Sequence, residues 1–159
     1  MSTVPLFVQQ LTALLDGETN NVTNLSNAAA LLMQTQSDLN WVGFYVYTPA
    51  DQLLHLGPFQ GKVACTQIQP SKGVVGTAYA QDQLQLIPNV HEFAGHIACD
   101  AASQSELVVP IHVQETLVGV LDLDSPTLER FTTSDATAMQ QFVQALEKHL
   151  DLTPQATLY

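Results

Sequence analysis

Two apolar stretches of the sequence, ELVVPIHV and TLVGVLDLDS, are separated by only two residues, Gln114 and Glu115. Both stretches are rich in β-branched and aliphatic side chains and are bounded by polar residues, which is typical of strands. Parallel strands need a connection of roughly a dozen residues or more, so a link this short is compatible only with an antiparallel hairpin. The hairpin predicts an antiparallel sheet in the second half of the chain.

The remaining elements surround this hairpin. Amphipathic helices are predicted from Val4 to Asp16 and from Val22 to Gln36, and a closing helix from Thr132 to Leu150. WVGFYVYT and QLLHL form a second hairpin, GPFQGKVACTQI leads into a third strand holding Cys65, SKGVVGTAYAQDQ is a short helix with Ser71 as its cap, and LQLI is a brief strand. Helices followed by hairpin-linked strands and a final helix indicate an α+β fold.

Composition limits the choice of partners. The 159 residues are 46% hydrophobic and 12% charged, which suits a single domain with ample core, and the net charge of -11 repels nucleic acid and anionic membrane surfaces. The first 20 residues lack Lys and Arg and do not resemble a secretory signal. No segment of the sequence reaches the roughly 18 consecutive apolar residues that a membrane span needs. We therefore expect a cytoplasmic protein with free, metal-binding or redox-active cysteines.

A long loop with weak regular signals is predicted over residues 88 to 104, and it contains Cys99. Long loops in compact domains are usually functional or disordered. Its His91, His96, Cys99 and Asp100 carry donor atoms of the types that zinc accepts. Their spacing matches no common structural zinc pattern, so the sequence favours no metal site.

A cysteine hydrolase is a second interpretation of the same loop. Cys99 would then be activated by a nearby histidine that Asp100 or Asn89 orients. This interpretation leaves Cys65, the other cysteine of the chain, without a role. Considered alone, Cys65 is predicted to be a small buried residue on a strand, the commonest fate of a cysteine.

Two pairs of residues are predicted to share a face of a strand, because side chains an even number of residues apart point the same way. Asp122 and Asp124 stand side by side in GVLDLDS, separated by Leu123. Such like charges must be solvated at the strand end, hydrogen-bonded, or turned towards a positively charged ligand. Trp41 and Tyr45 share a face of WVGFYVYT, either as core or as the wall of a pocket.

Five sequence blocks resemble, in order and spacing, the GAF-domain free methionine-(R)-sulfoxide reductases: NWVGFYVY, LGPFQGKVAC, GVVGTAYA, HIACDAASQSELVVPI and GVLDLDSP. The resemblance implies a single GAF domain over residues 1–159, with the strongest match over residues 20–150. It implies a six-stranded antiparallel sheet with helices packed against it. It also implies reduction of free L-methionine-(R)-sulfoxide to L-methionine with thioredoxin as the external reductant and without a bound cofactor or metal.

The resemblance assigns the two cysteines. Cys99, in HIACD, takes the position of the nucleophile, and Cys65, in GKVAC, takes the resolving position. Many members carry a third cysteine in GVCGTA, where this chain has Val75, so one alternative resolving partner is missing. Cys99 would become a sulfenic acid, condense with Cys65 to a disulfide, and be released by the dithiol of thioredoxin.

The resemblance also assigns the pocket, with carboxylates at Glu106, Asp122 and Asp124 and an aromatic wall of Trp41 and Tyr45. This agrees with the chemistry, because a sulfoxide is reduced by a thiolate only if its oxygen is protonated as it leaves. Clustered carboxylates supply that acid, since like charges raise the pKa of one member. The others can pair with the ammonium group of a free amino acid.

A non-catalytic function stays open beside the enzyme. GAF domains often act as sensing modules that bind cyclic nucleotides or other small molecules. A sensor is normally attached to an output domain, and the sequence shows none, so the matched pair of cysteines favours the enzyme. The resemblance is also compatible with a homodimer.

Overall fold

The computed structural model describes residues 3–96, Cys99 and residues 101–159. Within them lie four helices, a short 3-10 turn at Val90–Glu92 and six strands. The helices are α1 (Leu6–Leu15), α2 (Asn21–Thr35), α3 (Gly73–Gln81) and α4 (Thr133–Glu147). The strands are β1 (Trp41–Thr48), β2 (Leu53–Gly61), β3 (Gln67–Ile68), β4 (Gln85–Ile87), β5 (Ser105–Val113) and β6 (Thr116–Ser125). The α+β fold is confirmed.

The six strands form one antiparallel sheet in the order β3-β2-β1-β6-β5-β4. The hairpin predicted between β5 and β6 is present. Gln114 and Glu115, its two turn residues, have φ angles of 51° and 67°. A two-residue turn with positive φ at both positions matches the right-handed twist of the flanking strands. This hairpin sets β5 and β6 side by side in the middle of the sheet.

The two faces of the sheet are covered unequally. Helices α1, α2 and α4 pack on one face over the larger core, which includes the fully buried Phe44, Leu121 and Phe142. Leu123, between the two aspartates, points into this core and is fully buried there. On the other face α3 packs over a smaller cluster around Trp41 and Tyr45. The face with less helix coverage carries the pocket described below.

The helix boundaries have local causes. The α4 N-terminus has a capping box, in which the Thr132 side chain accepts from the Asp135 N–H and Asp135 accepts from the Thr132 N–H. The sequence suggested Ser71 as the cap of α3, but Lys72 occupies that position in the structure. Ser71 has a left-handed φ of 74°. Among the described residues no helix is both long and apolar enough to cross a bilayer.

The predicted third strand differs from the structure. Strand β2 runs on to Gly61 and β3 begins only at Gln67, so Cys65 lies in the loop between them rather than on a strand. Gly61 has a φ of 133°, and a Cβ placed on it would come within 2.7 Å of Cδ1 of Trp41. The chain therefore leaves the sheet at Gly61, where it passes close against the indole ring and only glycine fits.

Candidate functional site

A pocket opens on the face of the sheet that α3 covers. It lies over β1, β5 and β6, between α3 and the loops that precede β3 and β5. Six of the seven residues that the resemblance assigned to the site line this pocket: Trp41, Tyr45, Cys99, Glu106, Asp122 and Asp124. Residues from four separate parts of the chain therefore meet in one cavity.

The three carboxylates form a compact cluster because of the strand register. Glu106 of β5 pairs with Asp124 of β6, which pairs in turn with Trp41 of β1. Asp122 lies two residues before Asp124 on β6, and its side chain is therefore on the same face. One oxygen from each of the three carboxylates lies within 4.8 Å of the others. Glu106 and Asp122 are buried, with 6% and 5% of their surface exposed, and Asp124 is half-buried.

Burial and mutual repulsion change the protonation of this cluster. Burial raises the pKa of Glu106 well above its usual value, and the charges of Asp122 and Asp124 raise it further. Burial raises the pKa of Asp122 to about 6, while its hydrogen bond with Glu106 opposes that rise. The shared proton therefore resides on Glu106, which donates it towards ionised neighbours. The cluster holds a protonated acid and negative charge at neutral pH.

One buried oxygen of the cluster is free to accept. Oδ1 of Asp122 is buried and has no hydrogen-bond partner among the described residues. An unpaired buried acceptor costs free energy that a donor in the pocket would recover. Three carboxylates at these distances could hold a metal ion or an ammonium group. An ammonium supplies three donors, which suits a cluster of oxygens.

The two cysteines are joined. A disulfide links Cys65 to Cys99 across 34 residues of sequence, with their Cα atoms 5.6 Å apart, within the normal range for disulfides. It connects the loop before β3 to the loop before β5 at the pocket. This bond gives Cys65 a partner that the hydrolase interpretation lacked. Val75, where the resemblance implies a third cysteine in many members, is buried and lines the pocket as an apolar contact.

The aromatic residues build one wall through stacking. The ring of Trp41 lies 5.3 Å from that of Phe59 and 6.0 Å from that of Tyr45, centroid to centroid, in near-parallel pairs. Gly43 lies between Trp41 and Tyr45 on the same face, and a Cβ placed there would come within 2.7 Å of Trp41 Cη2 and would overlap Phe59. The missing side chain lets the indole lie flat along the strand.

Two polar residues of the pocket, Lys72 and Ser103, were not singled out from the sequence, and His96, considered there as a metal ligand, also lines it. Lys72, just before α3, brings a positive charge, and its rarity is a signal because the chain has only four Lys and Arg residues. Burial, and then the charge of His91, lowers the pKa of His96, so its imidazole is neutral near pH 7 and can accept a proton. Ser103 accepts a hydrogen bond from the Asn40 amide at 3.1 Å.

Two of the residues considered for zinc or hydrolase chemistry, His91 and Asn89, form hydrogen bonds within the loop. Nε2 of His91 lies 3.2 Å from the side-chain oxygen of Gln104, on the loop's other limb. The Asn89 side chain caps the 3-10 turn by accepting from the His91 N–H at 3.0 Å. Asp100 lies outside the described residues. The loop side chains thus organise the loop itself, and the chemistry-bearing groups gather around Cys99 and the carboxylates.

Comparison with known proteins identifies the family of the chain. The GAF domain family matches residues 10–150. The free methionine-R-sulfoxide reductase of Escherichia coli (strain K12) is 50% identical over 141 residues, which cover 89% of this chain and 84% of that protein. The enzyme of the same name from Saccharomyces cerevisiae is 43% identical over 139 residues, covering 84% of this chain and 77% of the yeast protein.

A solved structure extends the comparison to three dimensions. The X-ray structure of free methionine-R-sulfoxide reductase from Neisseria meningitidis, in complex with its substrate, has a TM-score of 0.87 and 38% identity. The match covers 90% of this chain and 85% of that one. These findings confirm the resemblance read from the sequence blocks. The chain belongs to the GAF-domain family of free methionine-R-sulfoxide reductases.

Proposed function

We propose that this chain reduces free L-methionine-(R)-sulfoxide to L-methionine. One observation carries the proposal: the Cys65–Cys99 disulfide lies at a pocket whose floor is a cluster of three carboxylates. A redox-active thiol, a proton donor and negative charge for an ammonium group are the three components that such a reaction needs. Two relatives named free methionine-R-sulfoxide reductase, 50% and 43% identical to this chain, support the assignment.

The first step transfers oxygen from one sulfur to another. The Cys99 thiolate attacks the sulfoxide sulfur and forms a transient S–S bond while the sulfoxide oxygen is protonated; this bond and the substrate S–O bond then break as the oxygen moves to the Cys99 sulfur. The sulfoxide gains two electrons and becomes methionine, while Cys99 loses two and becomes a sulfenic acid. The proton that the departing oxygen requires comes from an acid in the pocket.

Glu106 is the proposed acid. Its raised pKa keeps it protonated at neutral pH, and it faces the pocket beside Asp122 and Asp124. As the oxygen develops negative charge, a neutral carboxylic acid donates to it more readily than an ionised one. Glu106 would recover a proton from solvent between turnovers.

The charges of the pocket match a zwitterion. Asp122 and Asp124 would pair with the substrate ammonium, which satisfies the free Oδ1 of Asp122. Lys72, on the same pocket, would pair with the substrate carboxylate. A methionine sulfoxide residue inside a protein has neither group, because both are amide bonds. The pocket therefore favours the free amino acid.

The second step returns the enzyme to its reduced form. The Cys65 thiol attacks the Cys99 sulfur, the S–O bond breaks, and water leaves as the disulfide forms. An external dithiol protein, which we propose to be thioredoxin, then attacks the disulfide, is itself oxidised, and restores both thiols. The proposal needs no bound cofactor or metal, since every electron comes from thiols.

Homodimer formation is a separate prediction. Light scattering of the protein as it leaves a size-exclusion column would measure its molar mass and test this prediction.

Counting thiols tests the proposal against the alternative of a sensing module. Reduced protein, freed of reductant, is mixed with excess free methionine-(R)-sulfoxide, and both methionine and titratable thiols are measured. The enzyme is expected to lose two thiols for each methionine formed and then stop. A sensor would bind the compound with both thiols intact and no methionine formed, and that result would exclude the proposed reaction.

A further inference from the structure

The loop that carries Cys65 is fastened to β1 by the polar ends of two aromatic side chains. The indole N–H of Trp41 donates to the backbone carbonyl of Lys62 at 3.1 Å. The hydroxyl of Tyr45 donates to the backbone carbonyl of Cys65 itself at 2.9 Å. Both residues were assigned from the sequence as pocket wall, a role that needs only their rings. Their hydrogen bonds serve the loop instead.

These two bonds hold a segment, residues 62–65, that belongs to no strand. The chain leaves β2 at Gly61 and resumes pairing only where the Leu56 N–H donates to the Thr66 carbonyl, at 3.0 Å. Between these points Val63 is 87% exposed, while Ala64 and Cys65 are half-buried against the smaller cluster around Trp41 and Tyr45. Tyr45 thus holds the Cys65 backbone at its carbonyl, while the Cys65 side chain packs against the smaller cluster and is bonded to Cys99.

We propose that Tyr45, assisted by Trp41, is a positioning residue for resolution: its hydroxyl fixes the Cys65 backbone so that this thiol meets the oxidised Cys99. The inference rests on the proposed function for the way in which Cys99 becomes oxidised. Burial, and then the nearby carboxylates, raises the pKa of Tyr45, so the hydroxyl stays a donor throughout the neutral range. The bond persists while the cluster beside it carries negative charge.

Positioning matters more in a chain with only two cysteines. After oxygen transfer, the Cys65 thiol must attack the Cys99 sulfur, forming the S–S bond as the S–O bond breaks and water leaves. Val75 stands where the resemblance implies a further cysteine in many members, so the chain has no second thiol that could replace Cys65 in this step. A sulfenic acid that is not resolved promptly is open to further oxidation, which is irreversible for most proteins. The rate at which the Cys65 thiol attacks therefore decides whether Cys99 escapes irreversible oxidation.

The first experiment compares the two steps within one variant. Tyr45→Phe keeps the ring and removes the hydroxyl, and Tyr47→Phe removes a hydroxyl two residues along the same strand as a matched control. Rapid-quench assays follow methionine formation, disulfide formation and the fraction of Cys99 trapped by dimedone. In Tyr45→Phe, disulfide formation is expected to slow about tenfold more than methionine formation, with more trapped sulfenic acid. Equal slowing of both steps, or no change in their ratio, would overturn the inference.

The second experiment needs no substrate and so separates this inference from the proposed function. Oxidised protein is equilibrated with mixtures of reduced and oxidised dithiothreitol, and the equilibrium constant of the Cys65–Cys99 disulfide is measured. We expect Tyr45→Phe to shift this constant about three- to tenfold towards the dithiol, and Tyr47→Phe to leave it unchanged. An unchanged constant in Tyr45→Phe would mean that the hydroxyl does not position Cys65, whatever the chain reduces.

Discussion

Glu106 and Asp124 lie directly opposite each other on β5 and β6, two acidic side chains paired across the ladder on a face that is largely buried. Like charges in this arrangement destabilise a sheet. Asp122 adds a third carboxyl within 4.8 Å. The fold tolerates the cluster because Glu106 keeps its proton and hydrogen-bonds its neighbours. The site thus lowers stability in exchange for an acid that works at neutral pH.

The carboxylate cluster should make the folded chain less stable as pH rises. In the folded chain the pKa values of Glu106 and Asp122 are raised, so the folded state binds more protons than the unfolded state between pH 4 and those raised values. The free energy of unfolding must then fall as pH rises through this window. Glu106→Gln removes the acid and supplies amide donors. Its Tm at pH 7.5 is expected to exceed that of the wild type by about 3 °C or more, with a smaller drop from pH 5 to 8. Superimposable Tm profiles would contradict the burial of an unfavourable carboxyl cluster.

The same variant should lose activity while it gains stability. Without the Glu106 proton, kcat/KM is expected to fall about 10² to 10⁴-fold, the usual contribution of a general acid. The wild type should lose kcat/KM as pH rises through the raised pKa of Glu106, and the variant should lack that fall. Glu147→Gln is a control, since burial also raises the pKa of Glu147 but it lies outside the pocket, where it accepts from the His112 N–H. A Glu106→Gln enzyme of normal activity would remove Glu106 from the mechanism.

Replacing either cysteine should stop the reaction, but at a different step in each variant. Cys99→Ser is expected to form no methionine, because a hydroxyl does not replace a thiolate as nucleophile towards sulfur. Cys65→Ser is expected to form about one methionine per chain and then stop with a sulfenic acid on Cys99. Mass spectrometry after dimedone treatment distinguishes them. Sustained thioredoxin-dependent turnover by Cys65→Ser would show that resolution does not use Cys65.

Lys72 should affect substrate binding more than chemistry. Lys72→Met keeps an unbranched chain of similar length and removes the charge proposed to meet the substrate carboxylate. KM for free methionine-(R)-sulfoxide is expected to rise about tenfold while kcat stays within a factor of three. Lys148→Met, at the end of α4 away from the pocket, is the matched control. Equal effects of the two substitutions on KM would assign Lys72 to general surface charge.

The strand pattern was sufficient to predict the sheet but not the pairing that builds the site. Alternation along β6 puts Asp122 and Asp124 on one face, and the two-residue turn joins β5 to β6, as the sequence predicts. Counting back from that turn without interruption would set Glu106 against Leu123, on the wrong face. A β-bulge between Ile111 and His112 shifts the register by one residue and brings Glu106 opposite Asp124. Pro110 and Gly119 lie beside the bulge and are residues common at such sites, but they do not fix the direction of the register shift.

The position of Cys65 shows a second limit. The apolar run around it resembles a strand, yet the structure places it in a loop fastened by side chains that lie 20 or more residues away. Long-range hydrogen bonds from Trp41 and Tyr45 decide the loop's path, and pattern-based reasoning does not detect such bonds. The sequence resemblance, by contrast, named both cysteines and the pocket residues because it carried information about spatial neighbours.

The most direct test of the account measures which sulfoxides are reduced. A thioredoxin-coupled assay compares free methionine-(R)-sulfoxide, free methionine-(S)-sulfoxide and N-acetylmethionine-(R)-sulfoxide at matched concentrations. The S epimer exchanges the oxygen and lone pair relative to Glu106, and the acetylated compound leaves the Asp122 and Asp124 carboxylates without their ammonium partner. We predict that kcat/KM for the free R epimer exceeds both others by at least about 10²-fold, since discrimination by missing polar partners reaches about 10⁴. Comparable rates on the free and acetylated R sulfoxides would contradict a pocket built for the free amino acid.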